Sequence, residues 1–291
     1  MNKTFLTTIL FISSLVIFSC NKDNNSASTP PIGKVTTDTI MKNVPYGTDS
    51  KQKMDIYLPK GRNNSTKVIV LIHGGGWYAG DKTEMEVIIP QLQKEWPETA
   101  IVNINYRLAN GSNIIHNAIM DDITNALTYI KNEHSTLSIS TDFGLIGASA
   151  GAQLSLLYAY KHNVNGSVKA VANFFGPSYF ADWSYYNSFN IGLGSNVKDL
   201  YIKYAGTPWD KDLYESLSPY HIVTSSNYIP TISFHGTADI IVPVYQSQWF
   251  KAKLNEIGVA SEYTEYEGQG HGFSDYTDAI QKTVKFFKMH L

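Results

Sequence analysis

One cysteine, Cys20, occurs among 291 residues, so no disulfide can form within the chain and its fold must rest on a packed core. Neither sign of charge dominates. Lys and Arg number 23 against 25 Asp and Glu, a net charge of −2, so a polyanion partner such as nucleic acid is not expected. No H-x-x-H, C-x-x-C or calcium-loop pattern is present, so neither a metal nor an organic cofactor is expected. No internal repeat is visible. Hydrophobic residues make up 43% of the chain, and its length suits one α/β domain large enough to bury its own core.

The first residues read as an export signal. Lys3 gives a positive start and 5–18 is an apolar run, short for a membrane-spanning helix. Leu15-Val16-Ile17-Phe18-Ser19-Cys20 resembles a bacterial lipobox, with Ile17 where leucine is usual and a bulky Phe18 before Ser19. That resemblance implies removal of 1–19 and lipidation of Cys20, which would anchor the protein at a membrane; an ordinary cleaved signal peptide is the alternative. The polar stretch 20–33 then reads as a flexible tether. Its Cys-Asn-Lys-Asp start resembles signals for display on the outer cell surface. The expected location is the cell envelope of a Gram-negative bacterium, at the outer membrane or cell surface.

From residue 34 onward, strand and helix patterns alternate. Strands are expected at 35–44, 51–58, 67–72, 100–105, 143–146, 168–175, 231–235 and 262–266. Helices are expected at 84–96, 117–133, 150–162, 244–257 and 277–290. Near-continuous apolar runs such as 67–72 mark strands buried on both faces. The alternation predicts a mostly parallel eight-stranded sheet with helices on both sides, and ligands bound beyond the carboxyl ends of its strands. Residues 177–220 break the pattern. Eleven of those 44 are aromatic, about twice the chain average, which suggests a lid-like insertion or pocket wall.

Gly147-Ala148-Ser149-Ala150-Gly151 matches G-x-S-x-G between an expected strand and an expected helix. Such a turn lifts the Ser149 hydroxyl above the sheet edge. His73-Gly74-Gly75-Gly76-Trp77 follows the buried strand 67–72. Backbone N–H groups of Gly75 and Gly76, with that of Ala150, are candidates to stabilise an oxyanion. A serine hydroxyl needs a base, and the base needs an orienting carboxylate. His235-Gly236-Thr237-Ala238-Asp239 puts Asp239 at a strand end, and Gly270-His271-Gly272 puts His271 in the next glycine-rich loop. Asp275 is an alternative acid. His73, His116, His134, His162, His221, His235 and His290 read as structural. Trp77 and Trp183 are candidates for substrate contact.

These motifs together resemble the carboxylesterase and hormone-sensitive-lipase-like branch of the α/β-hydrolases, and within it the bacterial feruloyl and carbohydrate-acetyl esterase group. The resemblance also covers Met54-Asp55-Ile56-Tyr57-Leu58-Pro59, Asn105-Tyr106-Arg107-Leu108-Ala109, Asp121-Asp122 and Ser218-Pro219. Ala148 stands where lipase-like members often carry an acid, and Ala152 where glycine is frequent. The resemblance implies a serine esterase with Ser149, His271 and Asp239 as its triad, removing acetyl or feruloyl groups from plant polysaccharides or small esters. An amide or peptide hydrolase resembling the arylformamidases is the alternative. An inactive glycan-binding lipoprotein is the reading outside enzymology.

Overall fold

Every residue of β3 (Val68–Ile72) and β4 (Ala100–Ile104) is buried, as a strand covered on both faces requires. They belong to a computed structural model that describes residues 35–188 and 196–291. The leader 1–19, the tether 20–33 and Cys20 lie outside the described residues.

Eight strands form one sheet in the order β1-β2-β4-β3-β5-β6-β7-β8. Here β1 is Thr39–Pro45, β2 Lys53–Leu58, β5 Phe143–Ala148, β6 Val168–Phe174, β7 Thr231–Gly236 and β8 Ser261–Tyr266. β1 pairs antiparallel with β2, and β2 antiparallel with β4; all other pairs are parallel. The expected mostly parallel eight-stranded sheet is therefore present.

Alternation along β3 divides the core. Val68, Val70 and Ile72 face one cluster with Ile119, Ile123 and Leu127 of α2 (His116–Asn132). Ile69 and Leu71 face the other with Leu92 of α1 (Ile89–Glu95) and Ile280 and Phe287 of α10 (Thr277–His290). Successive strand residues point to opposite faces, so the sheet is covered by helices on both.

Some elements differ from the expected ones. The segment expected as one helix at 84–96 begins as a 3₁₀ turn, Lys82–Ile88, before α1. Asp81 caps that turn by accepting from the Thr83 N–H, and Glu84 accepts from the Asp81 N–H in return. Pro90 then sits in the first turn of α1, where its missing N–H costs nothing. A short helix α3 (His134–Leu137) follows α2. The fully buried α4 (Ala150–Leu157) runs on as a π turn, Tyr158–His162.

Among the described residues from 177 to 222 lie four short helices: α5 (Trp183–Ser188), α6 (Val197–Ala205), α7 (Lys211–Ser216) and α8 (Pro219–Ile222). Their aromatic rings pack on each other and on the domain. Phe180 stacks on Tyr201 at 3.8 Å between centroids, and Trp77 stacks on Tyr204 at 4.7 Å. The last crossover helix, α9 (Tyr245–Glu256), connects β7 to β8. Among the described residues, no helix is long and apolar enough to cross a membrane.

Candidate active site

β5 ends in a turn that Ser149 makes with φ 52° and ψ −120°, a conformation side-chain-bearing residues rarely adopt. Packing forces the glycines on either side. A Cβ on Gly151 would strike the carbonyl oxygens of Ile72 and His73, and one on Gly147 the carbonyl of Gly151. The start of α4 therefore lies directly against the end of β3. That closeness places Ser149 beside the glycine loop that follows β3. The Ser149 N–H donates to the Phe174 carbonyl at 2.9 Å, which fixes the turn against the end of β6.

The glycine loop is held from below. The Tyr106 hydroxyl donates to the carbonyls of His73 and Gly74 at 3.0 and 3.1 Å, and its ring stacks on His73 at 4.3 Å. His73 donates from Nδ1 to the Gly74 carbonyl at 2.9 Å. Burial pushes its imidazole down to about 4, so the ring is neutral near neutral pH. Gly75 and Gly76 take φ values of 93° and 58°, open to glycine without strain. Both line the cavity beside Ser149, as does Ala150, the first residue of α4.

His271 reaches the serine from the loop after β8. Its Nε2 accepts from the Ser149 hydroxyl at 2.8 Å, and its Nδ1 donates to Asp239 Oδ2 at 2.7 Å. A carboxylate can only accept, so the second bond assigns the proton to Nδ1 and leaves Nε2 free as a base. The edge of the ring pair with Phe175 closes the side of His271 at 4.9 Å between centroids.

Asp239 lies at the end of β7, nearly buried. Its Oδ1 accepts from the N–H groups of Ile241 and Val242 at 2.8 and 2.9 Å. Burial alone would raise its carboxyl. Hydrogen bonds from His235 and His271, with that of Val242, outweigh burial and hold it well below the usual carboxylate range. Asp275 is exposed and accepts from the Thr277 N–H instead, at the head of α10.

A cavity of about 470 Å³ opens above these groups. Its walls are mostly apolar: Met85 and Ile88 from the 3₁₀ turn, Phe174 and Phe175 at the end of β6, Leu200 and Tyr201 from α6. The structure separates the two tryptophans that the sequence nominated. Trp77 borders the cavity, but its indole is 3% exposed and donates to Gln153 Oε1 at 3.0 Å, tying the glycine loop to α4. Trp183 is 54% exposed, packs against Tyr186 and Trp209, and is not among the described residues that line the cavity. The sequence did not point to Phe175, which has φ 45°, or to the contact between His235 and Asp239. Spacing could have suggested the second, since His235 and Asp239 bracket one tight turn.

The BD-FAE family model matches residues 54–254. The isoprenylcysteine alpha-carbonyl methylesterase of Arabidopsis thaliana is 24% identical over 252 residues, covering 80% of this chain and 56% of that protein. The chain thus spans little more than half the length of this curated relative. A solved structure described as a truncated form of carbohydrate esterase from gut microbiota superposes with a TM-score of 0.70 at 23% identity, covering 88% of this chain and 99% of that one. A bifunctional GH43-CE protein of Bacteroides eggerthii gives 0.73 at 25% identity, covering 86% of this chain and 38% of that one. With the matched family model spanning the strand that precedes the glycine loop, the serine turn and Asp239, the chain belongs to the BD-FAE family, and its fold is that of the α/β-hydrolases.

Proposed function

We propose that this protein is a serine carboxylic-ester hydrolase that removes acetyl or feruloyl groups from polysaccharides or related small esters. The observation that carries the reading is the continuous hydrogen-bonded line from Ser149 Oγ through His271 to Asp239. In this reading His271 takes the proton of Ser149 as its oxygen attacks the ester carbonyl. The N–H groups of Gly75, Gly76 and Ala150 receive the tetrahedral oxyanion. His271 then protonates the leaving alcohol, and an acyl group remains on Ser149. Water, deprotonated by the same imidazole, attacks the acyl carbonyl, releases the carboxylic acid and restores the serine. Charge develops on the imidazole in both steps, and Asp239, held ionised, stabilises it.

The substrate side rests on family membership and on the cavity. Mostly apolar, aromatic-bearing walls suit a neutral ester whose acyl group is itself apolar or aromatic. Export and anchoring through Cys20, read from the leader, would put the enzyme where bulky extracellular glycans are met. The test is hydrolysis of p-nitrophenyl acetate and methyl ferulate side by side, with Ser149→Ala as control. Serine-dependent turnover of either supports the reading, and the ratio assigns the acyl preference. A folded protein that cleaves aryl formamides and neither ester would replace it with the amide-hydrolase reading.

A further inference from the structure

Asp239 Oδ2 is shared by two histidines. Besides His271, the Nε2 of His235 lies 3.2 Å from the same oxygen, with both side chains fully buried. The same Nε2 lies 2.8 Å from the Val242 carbonyl. A carbonyl and a carboxylate only accept, so Nε2 carries the proton and divides it between them. On the far side of the ring, Nδ1 lies 2.7 Å from the Ser247 hydroxyl, which donates to it when the ring is neutral. His235 is the penultimate residue of β7, Val242 lies in the following loop and Ser247 in the first turn of α9. One imidazole therefore joins the three segments that carry the acid of the site.

We propose that His235 is a positioning residue for the acyl transfer, its Nε2–H fixing the Asp239 carboxylate that orients His271. This rests on the serine-esterase reading of the site. Asp239 accepts two N–H groups on each oxygen: Ile241 and Val242 on Oδ1, His271 and His235 on Oδ2. Four donors leave the carboxylate one orientation. Removing His235 frees one lone pair in a place water does not reach, and Oδ2 then directs its whole charge at His271. The titratable groups around His235 are Asp239, His271 beyond it, and Tyr185, whose hydroxyl donates to the Ile241 carbonyl of the same loop.

The experiment follows the imidazole of His271 by NMR of histidine-labelled protein across pH, and kcat and KM in parallel. It compares wild type with His235→Leu, His235→Gln and Ser247→Ala. In His235→Leu the titration midpoint of His271 moves to higher pH than in wild type, because the undivided carboxylate charge holds the imidazolium better. Its kcat falls about tenfold, the scale of one hydrogen bond to a charged group, with KM little changed. His235→Gln offers an amide N–H in place of Nε2–H and restores most of both. Ser247→Ala, which releases only the far side of the ring, moves both readouts in the same direction by less. Should His235→Leu not fold, the other two variants decide. Wild-type titration and turnover in a folded His235→Leu, or in Ser247→Ala where the leucine variant does not fold, overturn the proposal. So does an equal loss of kcat in the leucine and glutamine variants with His271 titrating unchanged. Absence of Ser149-dependent turnover in wild type would defeat the esterase reading, while the NMR comparison would still decide the hold of His235 on Asp239.

Discussion

The Ser149 hydroxyl and His271 Nε2 lie 2.8 Å apart although 122 residues separate them in the chain. The contact exists because β5 and β8 run parallel in one sheet, so the turns after both open on the same edge. Ser149→Ala is expected to abolish turnover without loss of fold, leaving the residual 10³–10⁴-fold over water that oxyanion stabilisation and binding supply on their own. Ser149→Gly should be equally inactive yet more stable than Ser149→Ala, by about 1 kcal/mol, because glycine adopts φ 52° without strain. Thermal melts of the two variants measure this. Equal melting temperatures would deny that the turn stores strain.

Replacing Asp239 with asparagine keeps an acceptor for Ile241 and Val242 but turns an amide donor toward two imidazole N–H groups. His271 then moves its proton to Nε2 or rotates, and cannot take the proton of Ser149. The expected loss in kcat is about 10⁴-fold, with the fold retained. Because the carboxyl is held below the usual range, its stabilising contribution is full above the reference value of about 3.9 and fades as the pH falls through its folded value. Asp239→Asn should therefore flatten the acid end of the stability curve, read by denaturant unfolding below pH 4.

His73 makes a prediction in a different pH range. Its folded imidazole titrates at about 4 against about 6.5 when unfolded, so between those values the unfolded chain binds more protons. Stability from keeping this ring neutral is full above about 6.5 and is lost progressively toward pH 4, about 3 kcal/mol in all. His116, His162 and His221 are also shifted down by burial, and they titrate in wild type and variant alike. In His73→Asn the decline in unfolding free energy from pH 6.5 to 4.5 should be smaller than in wild type. Parallel curves would remove the buried ring from the account.

The two tryptophans separate by experiment as they do in space. Trp77→Phe keeps most of the stacking on Tyr204 but leaves Gln153 Oε1 without its donor in a buried place, a cost of about 1–3 kcal/mol. It should lower the melting temperature and slow turnover together, since the glycine loop loses its tie to α4. Trp183→Ala, on an exposed ring outside the cavity, should leave kcat/KM for small esters close to wild type. A large loss on p-nitrophenyl acetate would place Trp183 at the site after all.

Much of this molecule was legible in the chain itself. Short apolar runs such as 67–72 and 100–105 read as strands covered on both faces, and their alternation with helical spacing such as that of 117–133 pointed to a parallel sheet. Glycines around Ser149 and after His73, each at a strand end, located the site, because close backbone approach excludes any other residue there. The short helices of 177–220 carried no such signal. Their apolar positions are aromatic and irregularly spaced, and their shape comes from rings stacking on rings. A π turn at 158–162 shares its apolar pattern with an α-helix, so it too awaited three dimensions.

The local pattern thus determined the strands and which candidate residues stand at their ends, since periodicity and glycine placement are properties of neighbouring residues, while the order serine, acid, histidine was read from the resemblance to the fold. Tertiary structure alone decided what those ends meet: that Trp77 is buried against Gln153 while Trp183 faces solvent, and that Asp239 meets His271. Such contacts depend on sheet order and on the angles of loops after separate strands, and no stretch of chain contains both partners and the space between them.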